Sequence, residues 1–439
     1  MTGFDVIALG PDLATTLTAA LLARRGRRVL LAPGRDHRLR VRHGPHLLGT
    51  RHELLCGLTR PLVRRVLAEL GLDAYVQQRL VPHRPAFQLV LPGVRLDVTD
   101  DDEQLADELE RELALPPAET ERLLFQLARA SLAVERLEEP GSPWPRGPAP
   151  DGLAGVVLPA DRSPLHAMVT GPAEATAPCG RVGPLATARL WSSWRQGGGT
   201  LAGGTEALEL VLHEQILSAG GEIMADADPE GMLTGPDGTP RGVVLDGRPG
   251  AILARGFVLG LPPDRLARET LLGPRPWLPR LSVAGWRCTL HLLFRRGWLP
   301  PSMGRLVLLQ PNGGPPVLAQ LDDSTLTSDE VVLSMTATIQ GDPDLPRVEA
   351  RILEAARGLV PFFDDAFVDS CSPHRQHNAP LDPVFALPET SSPLAGAPAL
   401  PLDPGLGNTA LVHPLVLGAL GTEGAFVTAA AAADLLESV

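Results

Sequence analysis

The chain has 439 residues, 44% of them apolar, and a formal net charge of −12. That length supports two packed cores, and the acidic balance argues against nucleic acid as a partner. All 39 basic residues are arginine, which excludes Schiff-base chemistry, a phosphate-loop lysine and a lysine general base.

The first 33 residues read as a β-α-β unit. Phe4 to Leu9 is an apolar strand, Gly10 to Asp12 a turn, and Leu13 to Arg25 an Ala/Leu-rich helix stopped by Gly26. Arg28 to Ala32 is the second strand, ended by Pro33-Gly34. A basic tract follows: Arg35, His37, Arg38, Arg40, Arg42 and His43. Helical patterns are predicted over 52–80 and 102–138, with a hairpin (Phe87–Leu91, Val94–Val98) between them. The Pro/Gly-rich stretch 139–150 reads as a surface loop or linker. Residues 197–223 give a glycine-rich turn, a helix, a Gly-Gly cap and a strand start. Two strands, Arg241–Leu245 and Ile252–Leu261, follow an Asp237-Gly238 hairpin signal. Further strands are expected at Thr289–Phe294, Arg305–Gln310 and Glu330–Ala337, with a helix over 346–359. Residues 408–439 are a strand, a glycine-containing loop and an Ala-rich helix.

No apolar run reaches the roughly 18 residues that a membrane span needs, so no transmembrane segment is expected. Met1 leads straight into the first strand without a basic region or cleavage site, so no signal peptide is expected. Cys56, Cys179, Cys288 and Cys371 form no C-x-x-C pair, which points to a reducing, cytoplasmic compartment.

A dinucleotide fold places G-x-G-x-x-G between strand and helix and an acidic residue after the second strand. Here the spacing is intact, but only Gly10 survives. Asp12 fills the second position, Thr15 the third, and Pro33 the acidic one. Asp12 is expected to put a carboxylate at the helix N-terminus, capping backbone N–H groups where a pyrophosphate would sit. Pro33 offers no acceptor for a ribose. By itself this unit fits either a β-α-β that never bound a nucleotide or a flavin fold that lost or rebuilt its site.

Two further segments bear on that choice. LAGGTEALELVLHEQILSAGGEI followed by RGVVLDGRPGAILARGFVLGLPP resembles the phytoene desaturase and amine oxidase families. The C-terminal NTALVHPLVLGALGTEGAFVTAAAAADLL resembles their closing FAD motif, a strand, Ala-Gly-Asp, a His-Pro loop and an Ala-rich helix. The resemblance implies an α/β fold: a discontinuous Rossmann-like FAD/NAD(P)-binding domain (1–86, 181–274 and 396–439) with an inserted α+β substrate or cap domain of mixed sheet and helices (87–180 and 275–395). It also implies that His413 and Pro414 stand where the family's Gly-Asp meets the cofactor. Glu423 would stand at a helix end that faces the flavin, and a carboxylate there opposes the family's use of the helix dipole. Without lysine, the lysine-held water of amine oxidases cannot be built; desaturase-like and isomerase-like chemistry is not excluded on that ground. The same frame houses the Rab GDP-dissociation inhibitors, which use it without flavin.

Other constellations read more simply. Cys371, His374 and His377 form C-x2-H-x2-H without a fourth ligand at a recognisable spacing, so no metal site is expected. Asp100–Glu103 caps the following helix, and Trp191 and Trp194 read as core residues, with the lining of an apolar pocket as the alternative. The basic tract reads as a solvated loop, with anion binding as the alternative.

Three functions follow. The first is a pseudoenzyme that has lost FAD, has no catalytic residues, and binds a partner protein or an apolar, lipid-like ligand. The second is an FAD-dependent oxidoreductase acting on an apolar substrate through a remodelled site. The third is a non-catalytic subunit of a redox complex. The candidate cofactor-site positions are Gly10, Asp12, Thr15, Pro33, His413, Pro414 and Glu423.

Overall fold

The structure, a computed structural model, describes residues 3–35, 40–51, 54–139, 156–161, 163–180, 182–268, 270–273, 275, 282–310, 315–322, 329–386, 401–417 and 420–437. Residues 140–150 of the Pro/Gly-rich stretch, and His37 and Arg38 of the basic tract, lie outside these.

Strand Phe4–Leu9 is nearly all apolar and almost wholly buried, so it belongs inside a sheet covered on both faces. It pairs in parallel with Val29–Ala32 and with the last part of Ala251–Leu259. Thr409–Leu411 adds on the far side of Ala251–Leu259, also in parallel, and Glu222–Ile223 extends the other edge. The start of Ala251–Leu259 turns antiparallel to Pro240–Leu245, which pairs with Pro229–Thr234 across the expected Asp237-Gly238 turn. Among the described residues this sheet has seven strands. Helix Leu13–Arg24 lies against it, and Ala14 to Ala23 are all buried. Helices Gly204–Ser218 and Gly421–Glu437 flank the first helix.

The second sheet has eight strands among the described residues and is mostly antiparallel. Its spine is Ser282–Arg295 paired along its length with Glu330–Gln340. The predicted hairpin Phe87–Leu91/Val94–Val98 joins this sheet through a parallel contact with Leu306–Leu309. Helix Leu345–Leu359 covers one face, and Phe294, Phe363 and Phe367 cluster beside it.

The structure refines two helical regions and adds a hairpin and two helices to the expected elements. The helical pattern over 102–138 holds two helices, Asp102–Leu113 and Pro117–Leu137. Ala114 adopts a left-handed φ of 49° and Pro116-Pro117 follow, so the backbone cannot continue the helix. The pattern over 52–80 likewise holds two helices, Pro61–Glu69 and Asp73–Arg79, parted at Gly71 with φ of 73°. The basic tract ends not in a loop but in a hairpin, Arg40–His43 with His46–Gly49. Helices Pro164–Thr176 and Pro184–Arg195 escaped the sequence reading; each starts on a proline at its first turn, where the missing N–H costs nothing. The Asp101 carboxylate accepts from the Glu103 and Gln104 N–H groups, the cap expected there. Among the described residues, no helix is long and apolar enough to cross a membrane.

Candidate binding cavity at the strand ends

The turn after the first strand retains its tight geometry. Gly10 has φ of 133°, and a Cβ there would lie 2.7 Å from the Gly260 carbonyl carbon. Two backbones therefore meet at Gly10 and Gly260. Thr15 fills the third fingerprint position because Gly260 makes room for it: a Cβ on Gly260 would sit 1.9 Å from Thr15 Oγ1. The lost glycine is thus compensated across the sheet. The Thr15 hydroxyl is buried without a hydrogen-bond partner, a local cost of about 1–3 kcal/mol.

Asp12 occupies the N-cap position with extended φ/ψ but makes no side-chain cap bond, contrary to expectation. It instead lines a cavity of about 390 Å³ at the ends of the first sheet's strands, together with Arg51, Gly260, Asp382 and His413. Electrostatics give the reason. Arg51 forms an ion pair with Asp382 at 3.1 Å. Asp382 chiefly, with Asp12 and Glu209 adding to it, raises the pKa of the Arg51 guanidinium. The Asp12 carboxylate therefore adds to the negative field around Arg51 and does not bond the N–H groups of its own helix.

His413 and Pro414 line the same cavity. His413 is 8% exposed, and its Nδ1 accepts from the Leu415 N–H at 3.2 Å. Burial, aided by Arg51, pushes its pKa down to about 3, so the ring is neutral at physiological pH. Of the seven candidate positions, Asp12, His413 and Pro414 meet at this cavity. Gly10, Thr15, Pro33 and Glu423 do not line it. Pro33 is buried at the end of its strand, and the next charged side chain, Arg35, pairs with Asp246.

Glu423 lies in the first turn of helix Gly421–Glu437 but turns away from the cavity. The sequence reading set its charge against a cofactor; the structure neutralises it within the protein. Its carboxylate is fully buried and takes both Nη2 and Nε of Arg189, at 2.5 and 3.1 Å, plus Ser193 Oγ at 3.0 Å. Arg189, whose side chain is also fully buried, reaches Glu138 at 3.3 Å and Glu135 at 3.2 Å. Arg60 stands beside them, 3.8 Å from Glu135, and donates to Ser192 Oγ at 2.7 Å. Burial first, then the neighbouring Glu423, raises the Glu138 carboxyl to about 8. With Glu138 protonated, two arginines face two carboxylates and the cluster carries no net charge.

The cavity continues past Arg51. Arg51, Arg287, Asp382 and Thr422 also line a neighbouring space of about 180 Å³ with Trp194 and His374. Arg51 further borders a third space of about 300 Å³ with Arg40, His291 and Arg305. Sequence reasoning missed Arg51, Arg287 and Asp382, which carry no motif and come from three distant segments. It missed Arg189 too, although an arginine within the largely apolar helical run LATARLWSSW was a visible signal of a buried charge.

The remaining candidates resolve simply. Trp191 and Trp194 are buried, and Trp194 meets Phe87 edge-on at 5.5 Å. His374 accepts from the Thr289 N–H at 3.0 Å and bonds the Ala379 carbonyl at 3.1 Å, so both its nitrogens are engaged. Burial pushes the Cys56 thiol up to about 11, away from nucleophilic use. In the basic tract, Arg40 pairs with Glu206 at 3.5 Å and His43 bonds Asp369 at 2.9 Å, so both side chains have partners inside the protein.

Scans of the sequence against protein-family models and against curated proteins find no match. Solved structures do match. Cyclohexylamine oxidase from Brevibacterium oxydans is 15% identical, with a TM-score of 0.64 over 100% of this chain and 99% of that one. A putrescine oxidase redesigned at its cofactor site is 14% identical, with a TM-score of 0.65 over 99% of both chains. The Rab GDP-dissociation inhibitor of Plasmodium falciparum is 10% identical, with a TM-score of 0.53 over 89% of this chain and 94% of that one. At such identities the likeness is one of fold: this chain shares the fold of these amine oxidases and of the GDP-dissociation inhibitor.

Proposed function

We propose that this chain uses the flavoprotein frame as a binding protein without flavin. One observation carries the reading: the Asp12 carboxylate stands at the start of helix Leu13–Arg24, in the cavity, within a charge chain that Arg51 and Asp382 complete. A pyrophosphate brought to that helix end would meet a carboxylate. Like charges about 4 Å apart repel by about 1 kcal/mol in water and about 4 kcal/mol near a protein surface. Pro33 has no acceptor for a ribose. The residues present therefore do not fit FAD, and no redox step is assigned to them. The cavity walls combine this charge chain with apolar groups, Leu13, Phe385, Val412 and Leu417 among them. That lining suits a compact ligand with one polar end and an apolar body, or a lipid-like segment presented by a partner protein.

An FAD-dependent oxidoreductase with a remodelled site is the second reading; the retained backbone approach of Gly10 to Gly260 favours it. Visible absorbance of the purified full chain, before and after adding FAD, separates the two. A colourless protein that gains no flavin spectrum supports the binding role, whereas a stoichiometric flavin spectrum would overturn it. Asp12→Gly/Thr15→Gly tests the cause: the proposal expects this double variant to gain FAD affinity.

A further inference from the structure

The motif Cys371, His374, His377 does not assemble, because His374 is committed to backbone partners. Two of its members meet a third residue instead. His43 ends strand Arg40–His43, Cys371 ends strand Phe367–Cys371, and His377 follows the short helix Pro373–Gln376. One ligand atom from each lies within 4.8 Å of the other two. The cluster sits where the hairpin docks on the second sheet, beside Val41, Leu48, Leu293 and Val332.

The donors are unlike those of an ordinary polar contact. The His43 Nε2 bonds the Asp369 carboxylate at 2.9 Å, which leaves Nδ1 as a lone-pair donor. A carboxylate behind a histidine is how metal-ligating imidazoles are commonly oriented. The Cys371 thiol and the His377 ring have no hydrogen-bond partner among the described residues. Cys371 is buried, whereas His43 and His377 are partly exposed, so an ion has a path in. Two imidazoles and one sulfur suit zinc and similar transition metals over calcium or magnesium, which take oxygen ligands.

We propose that His43, Cys371 and His377 form a transition-metal site of the zinc class, oriented by Asp369, that clamps the hairpin to the second sheet. Water fills the fourth position. On binding, the Cys371 S–H gives up its proton to solvent and the thiolate sulfur forms the metal bond. None of the three residues lines the cavities described above, so the site is independent of the proposed ligand cavity.

Full-length protein stripped with a chelator and titrated with Zn²⁺ or Co²⁺ tests this. One metal per chain is expected, with a rise in melting temperature and, for Co²⁺, a thiolate charge-transfer absorption. Cys371→Ser should abolish that absorption. His377→Ala should weaken binding at least about tenfold, and Asp369→Asn by about ten- to hundredfold. His166→Ala, a histidine outside the cluster, should leave binding unchanged. Absence of stoichiometric metal, or binding unaltered in both His43→Ala and His377→Ala, overturns the proposal. Should Cys371→Ser not fold, the partly exposed His377→Ala decides the matter.

Discussion

Two charge clusters flank the start of helix Gly421–Glu437, and they are built on opposite principles. On one side Arg189, Glu423, Glu138, Glu135 and Arg60 form a closed network, its central pair fully buried and hydrogen-bonded. On the other, Asp12, Arg51 and Asp382 line an open cavity, with the Arg51 and Asp382 side chains 45% and 31% exposed. Depth decides what each can do. At the centre of the closed cluster Arg189, Glu423 and Glu138 are desolvated, so the loss of one partner strands another. In the open one, water screens each charge and a ligand can exchange for it. The contrast teaches that the helix start is fixed from its buried side, which leaves the cavity side free to differ from that of a flavoprotein.

The largest effect that would break this comparison is Arg189→Met. It strands Glu423 and Glu138, and should cost about 3–5 kcal/mol in urea unfolding. A loss below about 1 kcal/mol would mean that the network is wetter than it looks. Replacing Glu423 as well, in Arg189→Met/Glu423→Leu, should recover most of the loss, because no uncompensated central charge remains.

The next test is pH. Glu138 has a folded value of about 8, above its unfolded value, so the folded state binds the extra proton. Its contribution to stability is fully present below pH 4.5 and is lost as pH rises through 8. Glu138→Gln should remove that decline and leave the variant about 1–3 kcal/mol more stable than wild type above pH 8. Buried His413 and His291 work in the opposite sense, with folded values of about 3 and 4. Their contribution is present above pH 6.5 and fades as pH falls toward those values. Thermal melts across this range should show Glu138→Gln flattening only the alkaline limb.

A smaller effect sharpens the geometry between the clusters. Gly260→Ala drives a Cβ into Thr15, and should cost about 1–3 kcal/mol. Thr15→Gly should relieve part of that loss. Strict additivity of the two changes would show that Thr15 and Gly260 do not share the space assigned to them.

The smallest stability change belongs to Asp12→Asn, within about 0.5 kcal/mol, since the carboxylate caps nothing. Its effect should appear in binding, as a higher affinity of the cavity for added pyrophosphate by calorimetry. If Asp12→Asn destabilised the fold as much as Arg189→Met, the open and closed clusters would not differ as described.

Much of the fold was legible because it rests on local signals. The β-α-β unit, the hairpins at Phe87–Val98 and at Asp237-Gly238, and the helix Leu345–Leu359 follow from apolar periodicity and turn residues. Where the reading failed, a local signal was outweighed. Periodicity ran through Leu115-Pro116-Pro117, although prolines there end a helix, and the charges of the basic tract masked the alternation of its hairpin. The site was less legible. Three of its candidate residues reach the cavity, and Glu423 faces the other way because Arg189, 234 residues before it, draws its carboxylate inward.

By itself, the sequence determined the frame: the strands, the glycine turn at Gly10, and the substitutions at Asp12, Thr15 and Pro33. These are matters of spacing and residue type within a few turns of chain. Only the tertiary structure decided which charges meet. Arg51 faces Asp382, Arg189 faces Glu423, and His43 faces Cys371 and His377, because packing two sheets and their helices brings residues hundreds of positions apart into contact. Side-chain direction, burial and electrostatic partner follow from that packing, and no local pattern encodes them.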